Sequence, residues 1–145
     1  MNDWKIYTDG SYRSSLKQGG IGIVWIKDDK KVYEFSKGFK DTTNNQMELL
    51  AIGYALKSIK NPINSLEIIS DSEYALNSIF NEAWKIKKNI LLINKIKQIL
   101  INTQNLVASE IKWRHTYGHQ NDDSEDTKWN NICDKLCSDT SKMIL

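Results

Sequence analysis

The chain has 145 residues, a net charge of +2 at pH 7, 40% hydrophobic and 26% charged side chains. That length suits one domain with a single core, and that balance argues against a wholly disordered chain. Apolar runs such as residues 90–93 fall far short of the about 20 residues a membrane span needs, the opening MNDWKIYTDG has no basic-then-apolar leader, and two cysteines make no disulfide framework; a cytoplasmic protein with reduced Cys133 and Cys137 is expected.

Trp4 to Thr8 reads as a short strand stopped by Asp9-Gly10. Gly19-Gly20 opens a second strand, Ile21 to Ile26, ended by the turn-like Asp28-Asp29, and Lys31 to Gly38 alternates as a third. Short connections suggest an antiparallel meander. Residues 44–60 switch to helical spacing, with Ile52, Ala55, Leu56 and Ile59 in one stripe, and Thr43 with Gln46, or Asn45 with Glu48, offering a capping box. Asn61-Pro62 ends that helix. Leu66 to Ser70 is a compact, buried type of strand, Glu73 to Phe80 a short helix, and Asn89 to Gln104 a longer one. Ser109 to His115 is a last strand and Thr127 to Ser138 a last helix, with Trp129, Ile132, Cys133 and Leu136 inward. A helix between strands three and four requires a crossover, so the expected fold is α/β, a mixed sheet with helices packed on it. One domain is expected over 1–145, with about 139–145 as a C-terminal tail.

Charge is unevenly spread. Residues 85–114 carry a local +6 and the remainder −4. This suits a polyanion facing one side, although 18 Lys against two Arg also fits a coding bias.

Four acids stand out. Asp9 and Asp71 each follow an apolar strand, and in an α/β sheet the carboxyl ends of adjacent strands face the crevice where ligands bind. Glu48 lies one turn before Ile52 on the buried stripe, so it points towards the sheet. Asp134 lies beside the last helix's apolar stripe. Each has a plain structural reading: Asp9 as a turn residue, Asp71 as a helix cap, Glu48 as the end of a capping box, Asp134 as a solvated acid. Converging together, they would repel, and a hard divalent cation removes that repulsion; oxygen ligands suit Mg²⁺ or Mn²⁺. Two such ions about 3.5–4 Å apart would cleave a phosphodiester.

The strings YTDGS (7–11), TTNNQMELLA (42–51), IISDSEYA (68–75), IKWRHTYGH (111–119) and NNICDKL (130–136) resemble type 1 ribonuclease H, in that family's order, from about Trp4 to Leu136. The resemblance implies a ribonuclease H-like fold, a mixed five-stranded sheet flanked by helices. It implies metal-binding carboxylates at Asp9, Glu48, Asp71 and Asp134, with two Mg²⁺ ions or Mn²⁺ in their place. It also implies hydrolysis of the RNA strand of an RNA/DNA hybrid to 5′-phosphate and 3′-hydroxyl ends, and a catalytic histidine at His119 that assists proton transfer or product release. The RNA 2′-hydroxyl would be sensed at Gly10, Ser11, Tyr12 and Asn44, and the DNA strand held in a phosphate pocket with Thr43 and Asn45, which as a helix N-terminus suits phosphate. The basic protrusion of the family is reduced to Trp84, Lys85, Lys87 and Lys88. The partner implied is the hybrid duplex, with no membrane and a monomeric protein.

Three features depart from the family pattern. YRSSLKQGG replaces a Gly/Pro-rich stretch, Glu73 stands where Gln is frequent, and QNDDSEDTKWNN (120–131) lengthens the gap between His119 and Asp134. This acidic stretch reads as a solvated loop. Rival readings are a zinc site on His115, His119, Cys133 and Cys137, a hybrid-binding module without activity, and a DNA-directed nuclease of the same superfold.

Overall fold

A computed structural model describes residues 2–117 and 122–142. Three strands, β1 (Asp3–Arg13), β2 (Gln18–Lys27) and β3 (Lys30–Lys40), precede α1 (Asn44–Lys57). Then come β4 (Ser65–Ser70), α2 (Glu73–Phe80), α3 (Ile90–Gln104), β5 (Lys112–His115) and α4 (Glu125–Lys142). The sheet order is β3-β2-β1-β4-β5, antiparallel across the first three strands and parallel from β1 through β4 to β5. The mixed five-stranded sheet expected from sequence is therefore present.

Strand alternation divides the core in two. Ile6, Ile21, Ile23 and Ile68 face α1, α2 and α3, whereas Tyr7, Val24, Ile26 and Ile69 face Trp129 and Cys133 of α4. This double coverage is why adjacent residues of β1 and β4, Ile6 and Tyr7 in one and Ile68 and Ile69 in the other, are both apolar and buried. Edge strand β3 is mostly exposed and carries Lys30, Lys31, Lys37 and Lys40, charges that discourage edge-to-edge pairing.

The boundaries differ from expectation for local reasons. β1 does not stop at Asp9-Gly10 but runs on to Arg13, pairing Asp9 with Gly22 and Arg13 with Gln18. Gly10 is therefore no turn residue. A Cβ there would lie 2.6 Å from Glu48 N and Met47 C, so the glycine lets the α1 backbone touch the strand. Similarly, β2 starts at Gln18, because Gly20 and Gly22 admit α4: a Cβ at either would lie 2.3 Å from the Cys137 or Cys133 carbonyl. α4 rests on this strip as far as Ser141, which is buried, and is helical through Lys142, so the expected tail is helical over its first four residues. α1 ends at Lys57 because Ser58 caps it, its Oγ donating to Ala55 O at 2.6 Å and accepting from Trp25 Nε1 at 2.8 Å. β5 begins only at Lys112, since the Gln104 amide takes the backbone of Ser109 and Ile111 at 2.8 and 2.9 Å.

Candidate active site

Parallel pairing of β1 with β4 sets Thr8 opposite Ser70 as its last pair, so Asp9 and Asp71 follow side by side where that ladder ends. β4 stops there while β1 continues. The chain turns at once into α2, whose N-cap is Ser72, accepting from Ala75 N at 3.1 Å. Asp71 is thus not the cap. Its Oδ1 is buried and has no hydrogen-bond partner among the described residues.

Glu48 projects from the second turn of α1 and is only 7% exposed. It does not close a capping box. Thr43 is the N-cap, accepting from Gln46 N at 3.2 Å, and the Glu48 Oε1 instead accepts from Gly10 N at 2.6 Å. The same N–H donates to Asp9 Oδ1 at 2.9 Å. Asp9, Glu48 and Asp71 each offer a carboxylate oxygen, all within 4.8 Å of one another. A second group joins Asp9 to Asp134 and Cys137 within the same limit. Asp9 belongs to both. Asp134 reaches the site from α4, half-buried.

No ion pair among the described residues reaches these four acids. Burial above all, then the charges of Asp71 and Asp134, push the Asp9 carboxyl up to about 8. Burial, then Asp9 and Asp71, hold Glu48 well above the usual carboxylate range. Such a cluster keeps protons at neutral pH unless a cation replaces them, and an oxygen-rich donor set with an orphaned carboxylate oxygen suits a hard divalent ion. Burial first, with the nearby acids adding to it, raises both cysteine thiols. Cys133 donates to Tyr7 O and Cys137 to Asp134 O, each at 3.2 Å. His115 lies apart from them, its Nε2 3.1 Å from Asp71 O and its ring edge-on to Tyr117. No described group joins His115 to either cysteine, which removes the basis for that half of the zinc reading. His119 lies outside the described residues.

The residues expected to touch substrate fall in three places. Gly10, Ser11 and Tyr12 continue β1 past the acids, with the Ser11 hydroxyl committed to Cys137 O at 3.0 Å. Thr43, Asn44 and Asn45 form the exposed start of α1. Trp84, Lys85, Lys87 and Lys88 are exposed on the connector between α2 and α3. Gln46 ties the last two places together, donating to Asn89 Oδ1 at 3.4 Å, while Asn89 Nδ2 donates to the Tyr74 hydroxyl at 3.0 Å. This linkage is not legible in the sequence, although Asn89 takes a left-handed conformation (φ 57°) that Asn tolerates better than most residues.

The acidic stretch 120–131 is not a solvated loop throughout. It is helical from Glu125. Asp122 accepts from Ser124 N at 3.0 Å and from the Ser124 and Thr127 hydroxyls at the helix start. Asp126 accepts from the Tyr7 hydroxyl at 2.5 Å and pairs with Arg114.

A chain with this sheet order is built as a ribonuclease H-like α/β domain, and solved structures share it. LC11-RNase H1 in complex with an RNA/DNA hybrid superposes with a TM-score of 0.75 at 21% identity, over 97% of each chain. The RNase H family model matches residues 1–142. A ribonuclease H of Acetivibrio thermocellus is 36% identical over 154 residues, covering 98% of this chain and 97% of the relative. One from Clostridium botulinum (strain Hall) is 37% identical over 145 residues, covering 92% of each. The chain belongs to the RNase H family of nucleases. Among the described residues no helix is long and apolar enough to cross a membrane.

Proposed function

We propose that the protein is an endonuclease that hydrolyses the RNA strand of RNA/DNA hybrids, leaving 5′-phosphate and 3′-hydroxyl ends, at a site built for two Mg²⁺ ions, with Mn²⁺ as a substitute. The observation that carries this reading is the convergence of Asp9, Glu48 and Asp71 within 4.8 Å, with Asp71 Oδ1 buried and unpartnered among the described residues and Asp134 joining Asp9 from α4. Asp9, Glu48 and Asp71 would hold one ion, and Asp9 with Asp134 the other.

When bound, the pair would supply a lowered pKa for the attacking water and charge stabilisation for the departing 3′-oxygen. The chain's own groups position the strands. Gly10 N–H fixes the Asp9 and Glu48 oxygens, so the cage is set before substrate arrives. The backbone at Gly10, Ser11 and Tyr12, with Asn44, meets the ribose 2′-hydroxyls, the feature that separates RNA from DNA. Thr43 and Asn45 at the α1 N-terminus receive a DNA phosphate, and Trp84, Lys85, Lys87 and Lys88 grip the duplex by stacking and charge. His119 assists proton transfer or product release.

Cleavage of labelled RNA/DNA hybrid, double-stranded RNA and double-stranded DNA, side by side with and without Mg²⁺, tests the reading. Only the hybrid should be cut, only with the ion, and Asp9→Asn should abolish cutting. Cutting of double-stranded DNA at a comparable rate would overturn the substrate assignment, and substantial activity in folded Asp9→Asn the ligand assignment.

A further inference from the structure

We propose that Tyr7, Arg114 and Asp126 form a latch that fixes where α4 lies along β1 and so holds Asp134 against Asp9; the proposal rests on the reading that these two acids share an ion. Apolar packing alone sets this position only coarsely. Along its middle α4 packs with its backbone on Gly20 and Gly22, a strip without side chains that offers no knobs against sliding, and the side chains that do interlock, Trp129 and Cys133 against Tyr7, Val24, Ile26 and Ile69, are apolar contacts without directional preference. Each residue of slip would move Asp134 by about 1.5 Å, against a tolerance for ligand placement of about 0.5 Å.

Directional contacts are what remain. Asp126 sits in the first turn of α4, and its Oδ1 accepts from the buried Tyr7 phenol at 2.5 Å and from Arg114 Nη2 at 3.0 Å. Arg114 Nη1 donates to the other oxygen, so guanidinium and carboxylate meet two-pronged, a geometry that fixes orientation as well as distance. Burial works against the charged form of Asp126, but the hydrogen bonds from Arg114 and Tyr7 outweigh it and keep the carboxyl below its usual range. Tyr7 and Asp9 are two residues apart on β1 and therefore share a face. The Tyr7 carbonyl also accepts from Cys133, the residue before Asp134. One strand residue thus braces α4 at both its first turn and the turn that carries the acid, about 12 Å further on.

The pair is about a third exposed, so its contribution to overall stability is small. Position is its product, and that separates the latch from an ordinary surface ion pair. Mn²⁺ uptake by the full-length protein, followed by calorimetry, is the test, with urea unfolding of each variant alongside. Arg114→Gln and Asp126→Asn should weaken Mn²⁺ binding about tenfold, the usual scale for residues that orient ligands. Tyr7→Phe, which removes only the hydroxyl and keeps the core filled, should act in the same direction. Arg114→Lys, lacking the fork, should restore only part of the affinity. Glu67→Gln, which alters only the looser partner of Arg114 at 3.5 Å, should leave Mn²⁺ affinity unchanged. Folded variants that bind Mn²⁺ as the wild type does would overturn the latch alone. A wild-type protein that takes up no Mn²⁺ would overturn the ion-site reading and the latch with it.

Discussion

Replacing Asp9 with Asn should make the metal-free protein more stable at neutral pH while removing its activity. An ordinary aspartate releases its proton near 3.8, whereas in the fold burial and the neighbouring acids keep the Asp9 proton up to about 8. The folded pKa is raised, so the sign is the reverse of a salt-bridged carboxylate: stability is fully present below about pH 4 and is lost as pH rises towards 8, because the unfolded chain gives up a proton that the folded chain retains. At pH 7 this amounts to about 4 kcal/mol, at 1.36 kcal/mol per pH unit over roughly three units. Asn keeps an oxygen to accept from Gly10 N–H but buries an amide that must find partners, at a cost of about 1–3 kcal/mol. A net gain of about 2 kcal/mol at pH 7 remains, vanishing or reversing near pH 4.5. Urea denaturation in chelator across pH 4.5–8.5 measures it, and saturating Mg²⁺ should invert the order, since only the wild type gains binding free energy. Wild-type stability that stays level from pH 5 to 8 without metal, or an Asn variant whose relative stability falls with rising pH, would refute the reasoning.

Gly22→Ala should destabilise the fold by about 3 kcal/mol, since the new methyl meets a helix backbone carbonyl that cannot step aside; an unchanged urea midpoint would contradict the packing described. Gly10→Ala should leave a folded protein that needs more Mg²⁺ for half-maximal cleavage, because it displaces the Glu48 backbone, and a metal titration of hybrid cleavage reads this directly. Ser72→Ala should cost about 1 kcal/mol through the lost cap on α2, seen as a lower melting temperature. His119→Ala should slow turnover less than Asp9→Asn or Asp71→Asn; equal losses in single-turnover assays would count against an auxiliary role.

Most of the architecture was legible because apolar periodicity reports which faces are covered. The element order, the crossover and the inward faces of Ile52, Ala55, Leu56 and Cys133 follow from it. Glycine was where local rules misled. Asp9-Gly10 looks like a turn, yet it lies inside β1, and the α1 backbone pressed against Gly10 explains why. The sequence places Asp9, Glu48 and Asp71 near strand ends and on a buried helix face, but the Gly10 amide shared by two of them depends on three-dimensional register. Likewise, Asp122, Glu125 and Asp126 look alike as acids in a row. Partners 119 and 12 residues away along the chain make Asp126 a structural anchor, and contacts so distant leave no periodic trace.

As far as Thr8, the residue before Asp9, β1 is hydrogen-bonded on both sides and covered on both faces, with Ile6 in one core and Tyr7 in the other. Amide hydrogens around the acids should accordingly be among the slowest to exchange with deuterated solvent, opening only when the whole molecule does. The connector bearing Trp84 and the lysines, largely exposed, should exchange within its own local fluctuations. Where the chain is most rigid it would perform chemistry, and where it is most yielding it would meet the duplex.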